Sequence, residues 1–130
     1  MRTVVLVGAL AMFAAGAPSL SHAQGIGDPG ERAFQYCYSC HSVDPEETAV
    51  LSGPNLFGVV GRPIASQDGF DYSDGMRAFG AGGKEWTADL IAQFIQDPEA
   101  LVPGTPMQSL PGPRTEEERQ ALLGYLSAQN

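Results

Sequence analysis

Cys37-Tyr38-Ser39-Cys40-His41 constrains this chain more than any other stretch. Its pattern, C-x-x-C-H, is that of covalent haem attachment. Each thiol adds to one vinyl group of a porphyrin, and the adjacent imidazole takes the iron. On a helical turn Cys37, Cys40 and His41 stand at i, i+3 and i+4, so all three face one way. Other chemistries use parts of the same pattern. A thioredoxin-like redox site sets C-x-x-C near a βαβ unit, and no strongly β-patterned run precedes Cys37. A structural zinc site takes four Cys or His ligands, whereas the sequence has 2 Cys and 2 His in all. A disulfide across C-x-x-C leaves His41 without a role.

Residues 1–23 have the pattern of a secretory signal peptide. Arg2 gives a short positive start, Val4 to Ala17 is apolar, and Ser21-His22-Ala23 resembles a small-x-small cleavage site. The apolar stretch is short for a membrane span and ends at Pro18. The expected division is therefore a leader, 1–23, and one domain, 24–130, exported to the periplasm without a membrane anchor. Export suits the motif, because bacterial c-type haem attachment takes place outside the cytoplasm. Loss of Arg2 leaves 6 Lys and Arg against 15 Asp and Glu, a formal charge of −9. That excludes nucleic acid as a partner, which needs a basic surface. A domain this small buries a modest core, and a covalent haem adds a large apolar body to it.

The pattern along the domain is all-α. Asp28 is a good N-cap, Pro29 suits the first helical position, and Glu31 is placed to close a capping box, so a helix is expected from Asp28 to about Tyr38. Residues 42–70 are rich in Gly, Pro, Asp and Ser and show no period. A loop of that length in a compact domain marks function, and a planar cofactor gives it something to wrap. Leu51, Leu56, Phe57, Val59, Val60 and Ile64 are the candidates for the surrounding wall. A short helix is expected over 73–79, capped by Ser73 or Asp74. Another follows Thr87 and ends before Pro98, with Leu90, Ile91, Phe94 and Ile95 on one face. Residues 98–101 can add one turn. The proline-rich stretch 102–113 cannot be regular. Thr115 and Glu118 form a capping box for a last helix to about Ala128, whose apolar side is Leu122, Leu123, Tyr125 and Leu126.

With His41 on one side of an iron, the other side needs an account. The domain has no second His. Of its methionines, Met76 falls on a short helix, where Met is ordinarily core. Met107 ends the stiff loop Pro103-Gly104-Thr105-Pro106-Met107 and is the favoured sixth ligand; an open sixth position is the other alternative. A His/Met iron has a raised potential and no vacancy for substrate, so it transfers single electrons and little else.

Five pieces in order and spacing make the chain resemble class I cytochrome c of the exported bacterial, mono-haem, electron-carrying kind. They are C-Y-S-C-H at 37–41, G-P-N-L-F-G-V-V-G-R at 53–62, G-F-D-Y-S-D-G at 69–75, Trp86, and P-G-T-P-M at 103–107. The resemblance implies N- and C-terminal helices with shorter helices and long loops wrapped around one haem c. It implies thioethers at Cys37 and Cys40, axial ligands at His41 and Met107, and a bond from His41 to the carbonyl of Pro54. It also implies contacts from Arg62, Tyr72 and Trp86 to the haem propionates. Without the resemblance, Tyr72 and Trp86 are ordinary core aromatics and Arg62 a surface cation.

The resemblance further implies a carrier, not an enzyme, acting as a monomer between protein donors and acceptors: membrane-bound oxidoreductase complexes or periplasmic enzymes. The rival readings are a dedicated acceptor subunit of one oxidoreductase and a haem gas or redox sensor with a labile sixth ligand. Departures from the family pattern are Phe94 where many relatives have Tyr, Ser109 where an aromatic residue is common, and Met76 where Asn is common. Many relatives also dock through a ring of lysines, whereas Lys84 is the only Lys here. The partner then offers a basic patch or docks through apolar contacts, with Tyr38, Ser39, Gln108 and Ser109 as candidate contacts.

Overall fold

In a computed structural model of the chain, the residues described are 27–107 and 112–130. The leader 1–23, Gln108 and Ser109 lie outside them. Among the described residues are five helices and no strand: α1 Pro29–Phe34, α2 Asp74–Phe79, α3 Ala88–Gln96, α4 Pro98–Leu101 and α5 Glu116–Ser127.

Side-chain caps explain most of these starts. The free amides of a first helical turn need acceptors. The side chain of Ser73 accepts from Met76 N, Thr87 from Leu90 N and Asp97 from Ala100 N. Thr115 and Glu118 bond each other's backbone in the expected capping box. The box expected at α1 does not form. Asp28 Oδ1 accepts from both Gly30 N (2.8 Å) and Glu31 N (3.2 Å), while Glu31 Oε2 is buried without a partner.

The regular part of α1 also stops earlier than expected, at Phe34 rather than about Tyr38. Gln35 N, Tyr36 N and Cys37 N bond the carbonyls of Arg32, Ala33 and Phe34, three residues back instead of four. This tightening at a helix end is of the 3₁₀ kind. The four-residue spacing returns at Tyr38 N to Phe34 O and at His41 N to Cys37 O (3.0 Å), giving one separate turn for the motif.

The first and last helices cross at close range. A Cβ on Gly30 would stand 2.6 Å from Ala121 O and 2.6 Å from Tyr125 Cβ, so only a glycine lets α1 lie on α5 there. Beside the crossing, the rings of Phe34 and Tyr125 are 5.4 Å apart. Helix α5 buries Leu122, Leu123 and Leu126, and α3 buries Ile91 and Phe94. The ring of Trp86 lies 5.3 Å from Phe94 and 6.1 Å from Phe79.

The long loop is pinned to this body by backbone bonds. Gly61 N bonds Trp86 O (2.7 Å), Trp86 N bonds Arg62 O (2.9 Å) and Ile64 N bonds Lys84 O (2.8 Å), around an antiparallel bridge between Pro63 and Glu85. Val59 and Ile64 are buried in the core, with Leu56 and Val60 packed against it. Leu51 and Phe57, the other candidates for the wall around the cofactor, are half-buried.

Candidate haem site

The separate turn after α1 places Cys37, Cys40 and His41 together. Cys40 N and His41 N both bond Cys37 O, at 3.1 and 3.0 Å. No disulfide joins Cys37 to Cys40. Before haem attachment, burial, with a smaller contribution from neighbouring Cys40, pushes the Cys37 thiol up to about 11.

His41 is buried, with 8% of its surface exposed. Its Nδ1 lies 2.7 Å from Pro54 O. A carbonyl only accepts, so Nδ1 carries the proton and donates it. Nε2 is thereby left as a bare lone pair in a fixed orientation. Burial holds the imidazole below its ordinary 6.5 and outweighs the opposing effect of the Pro54 carbonyl. A neutral imidazole with one nitrogen anchored and the other free is what an iron ligand needs.

One contributor was not recognised from sequence. A Cβ on Gly53 would lie 2.3 Å from His41 Cε1 and 2.7 Å from each ring nitrogen. Gly53 N bonds Cys40 O at 2.8 Å. The Gly53-Pro54 strap therefore lies directly on the imidazole, tied at one residue to the Cys turn and at the next to the ring. A glycine immediately before the proline that accepts from the histidine was the available signal.

Arg62, Tyr72 and Trp86 occupy connected positions. Trp86 N bonds Arg62 O. The Arg62 guanidinium donates to Asn55 O (2.8 Å) and Phe57 O (3.2 Å), and half-burial holds its pKa below the usual guanidinium range. Two of its five N–H groups serve those carbonyls, and among the described residues the others have no acceptor and suit an anion. The Tyr72 hydroxyl oxygen accepts from Gln67 N at 3.3 Å, which leaves its own hydrogen to donate elsewhere. Nearby Gln67 Oε1 is buried without a partner.

Met107 is half-buried and packs against the same core cluster as Cys37. Thr105 holds its approach: it is 1% exposed, and its Oγ1 accepts from Met107 N at 3.4 Å. Sequence reasoning placed Thr105 in the loop but gave it no task. Phe94, at the position noted for its missing hydroxyl, is buried against Trp86.

The residues present fit a haem. Two free thiols and a pre-oriented imidazole share one turn, a thioether packs on the same core, and unspent donors lie at Arg62 and Tyr72.

Comparison with known proteins agrees. The chain is 38% identical to cytochrome c-554 of Methylosinus trichosporium, over 91% of this chain and 87% of that protein. It is 40% identical to cytochrome c-551 of Roseobacter denitrificans, over 78% and 73% respectively. It is 35% identical to cytochrome c2 of Rhodobacter capsulatus, over 78% and 76%. The chain belongs to the class I cytochromes c. A solved structure of a mutant cytochrome c2 superposes on this cytochrome with a TM-score of 0.60 at 31% identity, covering 77% of this chain and 94% of that one. No protein-family model matches.

The fold expected from sequence is thus the fold found. This cytochrome is an electron-transfer protein rather than an enzyme. It carries one covalent haem c, for which Cys37 and Cys40 have the spacing, and acts with redox partner proteins. Among the described residues no helix is long and apolar enough to cross a membrane.

Proposed function

We propose that this cytochrome shuttles single electrons in the periplasm through a haem held by Cys37 and Cys40 as thioethers, with His41 and Met107 on the iron. The 2.7 Å bond between His41 Nδ1 and Pro54 O carries the reading, because it leaves one lone pair of a neutral, buried ring to bind metal. The bound haem supplies a one-electron couple. The protein's residues hold that couple closed and oriented. Pro54 fixes the imidazole plane, Thr105 ties Met107 to its turn, and Arg62, Tyr72 and Trp86 meet the propionates, whose burial needs such donors. With both axial positions filled, no substrate reaches the metal.

Visible spectra of the oxidised and reduced protein, before and after CO, test this. Sharp low-spin bands, a thioether–iron charge-transfer band and indifference to CO support it. Rapid CO binding by the reduced protein sinks Met107 as ligand and moves the sensor reading ahead.

The periplasmic address rests on the leader pattern of residues 1–23. Mass spectrometry of the exported protein should find a chain starting at Gln24; an intact Met1 start would refute the cleavage.

A monomer whose partner offers a basic patch fits the charges. Asp44, Glu46 and Glu47 are exposed in the loop after His41, and Tyr38, within the motif, is 62% exposed. The single Lys84 lies over the Phe79 ring, 4.0 Å from its centroid. Electron transfer to a basic partner should slow as salt rises; a flat rate would remove electrostatic steering.

A further inference from the structure

We infer that Glu99 is a positioning residue for Met107, acting through the backbone amide of Gly104; the inference rests on Met107 being an iron ligand. Thr105 N bonds Val102 O at 3.1 Å and closes a four-residue turn over 102–105. Pro103 and Gly104 occupy its two central positions, and Gly104 has φ +77°. That is a type II turn, in which the third residue must be left-handed and is best a glycine. Its two ends, Val102 and Thr105, are each 1% exposed and fix it to the core.

The Gly104 amide has no partner within the turn itself. It donates instead to Glu99 Oε2 at 2.9 Å. Glu99 lies on α4, which is held in place at its start by the bond from Ala100 N to Asp97 Oδ1 (3.1 Å) and at its end by that from Val102 N to Pro98 O (2.8 Å). The carboxylate thus ties the outer edge of the turn to a helix, while Val102 and Thr105 tie the inner edge to the core. Two residues further on, Met107 N bonds Thr105 Oγ1. Release of Gly104 lets the turn pivot about its buried ends, and the residue carried on the far side of Thr105 is Met107. Glu99 touches neither cofactor nor iron; its effect is on how long the thioether stays in place.

The test compares wild-type holoprotein with Glu99→Ala and Glu99→Gln. Glutamine keeps an acceptor oxygen and loses the charge; alanine loses both. Three readouts are needed: the thioether–iron charge-transfer band during a denaturant titration, the CO binding rate of the reduced protein, and global unfolding by far-UV circular dichroism. Glu99→Ala should lose the band at lower denaturant than the helices, and bind CO faster by about 3- to 10-fold, the scale of one ordinary hydrogen bond lost between exposed residues. Exchange of the Gly104 amide with solvent should quicken in step. Glu99→Gln should stay close to wild type.

Three results would overturn the inference. Band loss and global unfolding that shift together by the same amount would reduce Glu99 to general stability. Equal effects of Ala and Gln would make its charge, not its hydrogen bond, the cause. No change in any readout would leave it no role. A wild-type protein that lacks the band and binds CO rapidly is a different failure, that of Met107 as ligand.

Discussion

Replacing Gly53 with alanine is the sharpest test of the strap over His41. The backbone at Gly53 does not need a glycine for its dihedral angles, since it lies outside the left-handed region. The perturbation is therefore steric alone. The new methyl carbon would stand 2.3 Å from His41 Cε1, about 1.2 Å inside the closest comfortable carbon–carbon distance. Neither side can yield freely. Gly53 N is held by Cys40 O, and the ring is held by Pro54 O at 2.7 Å. Relief requires the imidazole to move by roughly that 1.2 Å, which stretches the bond to Pro54 beyond use. Overpacking of this kind costs about 1–3 kcal/mol, and the lost hydrogen bond about 1 kcal/mol. The expected destabilisation is about 2–4 kcal/mol. Guanidinium unfolding of the two holoproteins, followed by far-UV circular dichroism, should show the midpoint falling at an unchanged slope. The visible spectrum should report a weakened axial field at the iron. A variant within about 0.5 kcal/mol of wild type, the range of ordinary surface changes, with an unaltered spectrum would refute the close strap.

Met107→Ala should admit CO to the reduced protein and lower the reduction potential, because thioether ligation raises it; potentiometry and CO titration check both. Glu118 is held below its ordinary 4.5, first by the backbone amide of Arg114 and then by that of Thr115. A depressed native pKa gives stability that is present above 4.5 and lost as pH falls through the native value. The melting midpoint of the wild type should therefore fall on acidification below about 4.5, and Glu118→Gln should show a flatter fall. Leu122→Ala removes a side chain of a residue only 1% exposed on α5 and should cost about 2–5 kcal/mol in denaturant unfolding.

Local chemistry was the part of this fold that could be read in advance. Ser73, Thr87 and Thr115 each announce a helix because a hydroxyl one residue before the first turn has few other uses. C-x-x-C-H announces its own turn because three ligating groups must share a face. The end of α1 could not be read so easily. Nothing in Gln35, Tyr36 or Cys37 forbids a helix, yet their amides bond carbonyls three residues back. Glu31 likewise stands at the right spacing for a capping box, but spacing does not say that Asp28 alone will satisfy two amides. At the site, Pro54 could be named from the family pattern, whereas Gly53, Thr105 and Glu99 could not. Their roles depend on which surfaces meet, and sequence separation hides that.

The crossing of α1 on α5 makes the chain topologically a ring. Contacts between Gly30 and Ala121 or Tyr125 join segments from opposite ends of the sequence, so forming them carries the entropy of closing a loop of nearly the whole domain. Folding should therefore be slower than the short helices alone would allow. The same closure also has a protective side. Residues 46–50 are exposed, and a protease cut there would leave one piece with α1 and the Cys37–His41 turn and another with α2 to α5. Each piece keeps half of the crossing, and the bonds of His41 to Pro54 and of Gly53 to Cys40 also bridge the cut, so the nicked protein should remain a single particle.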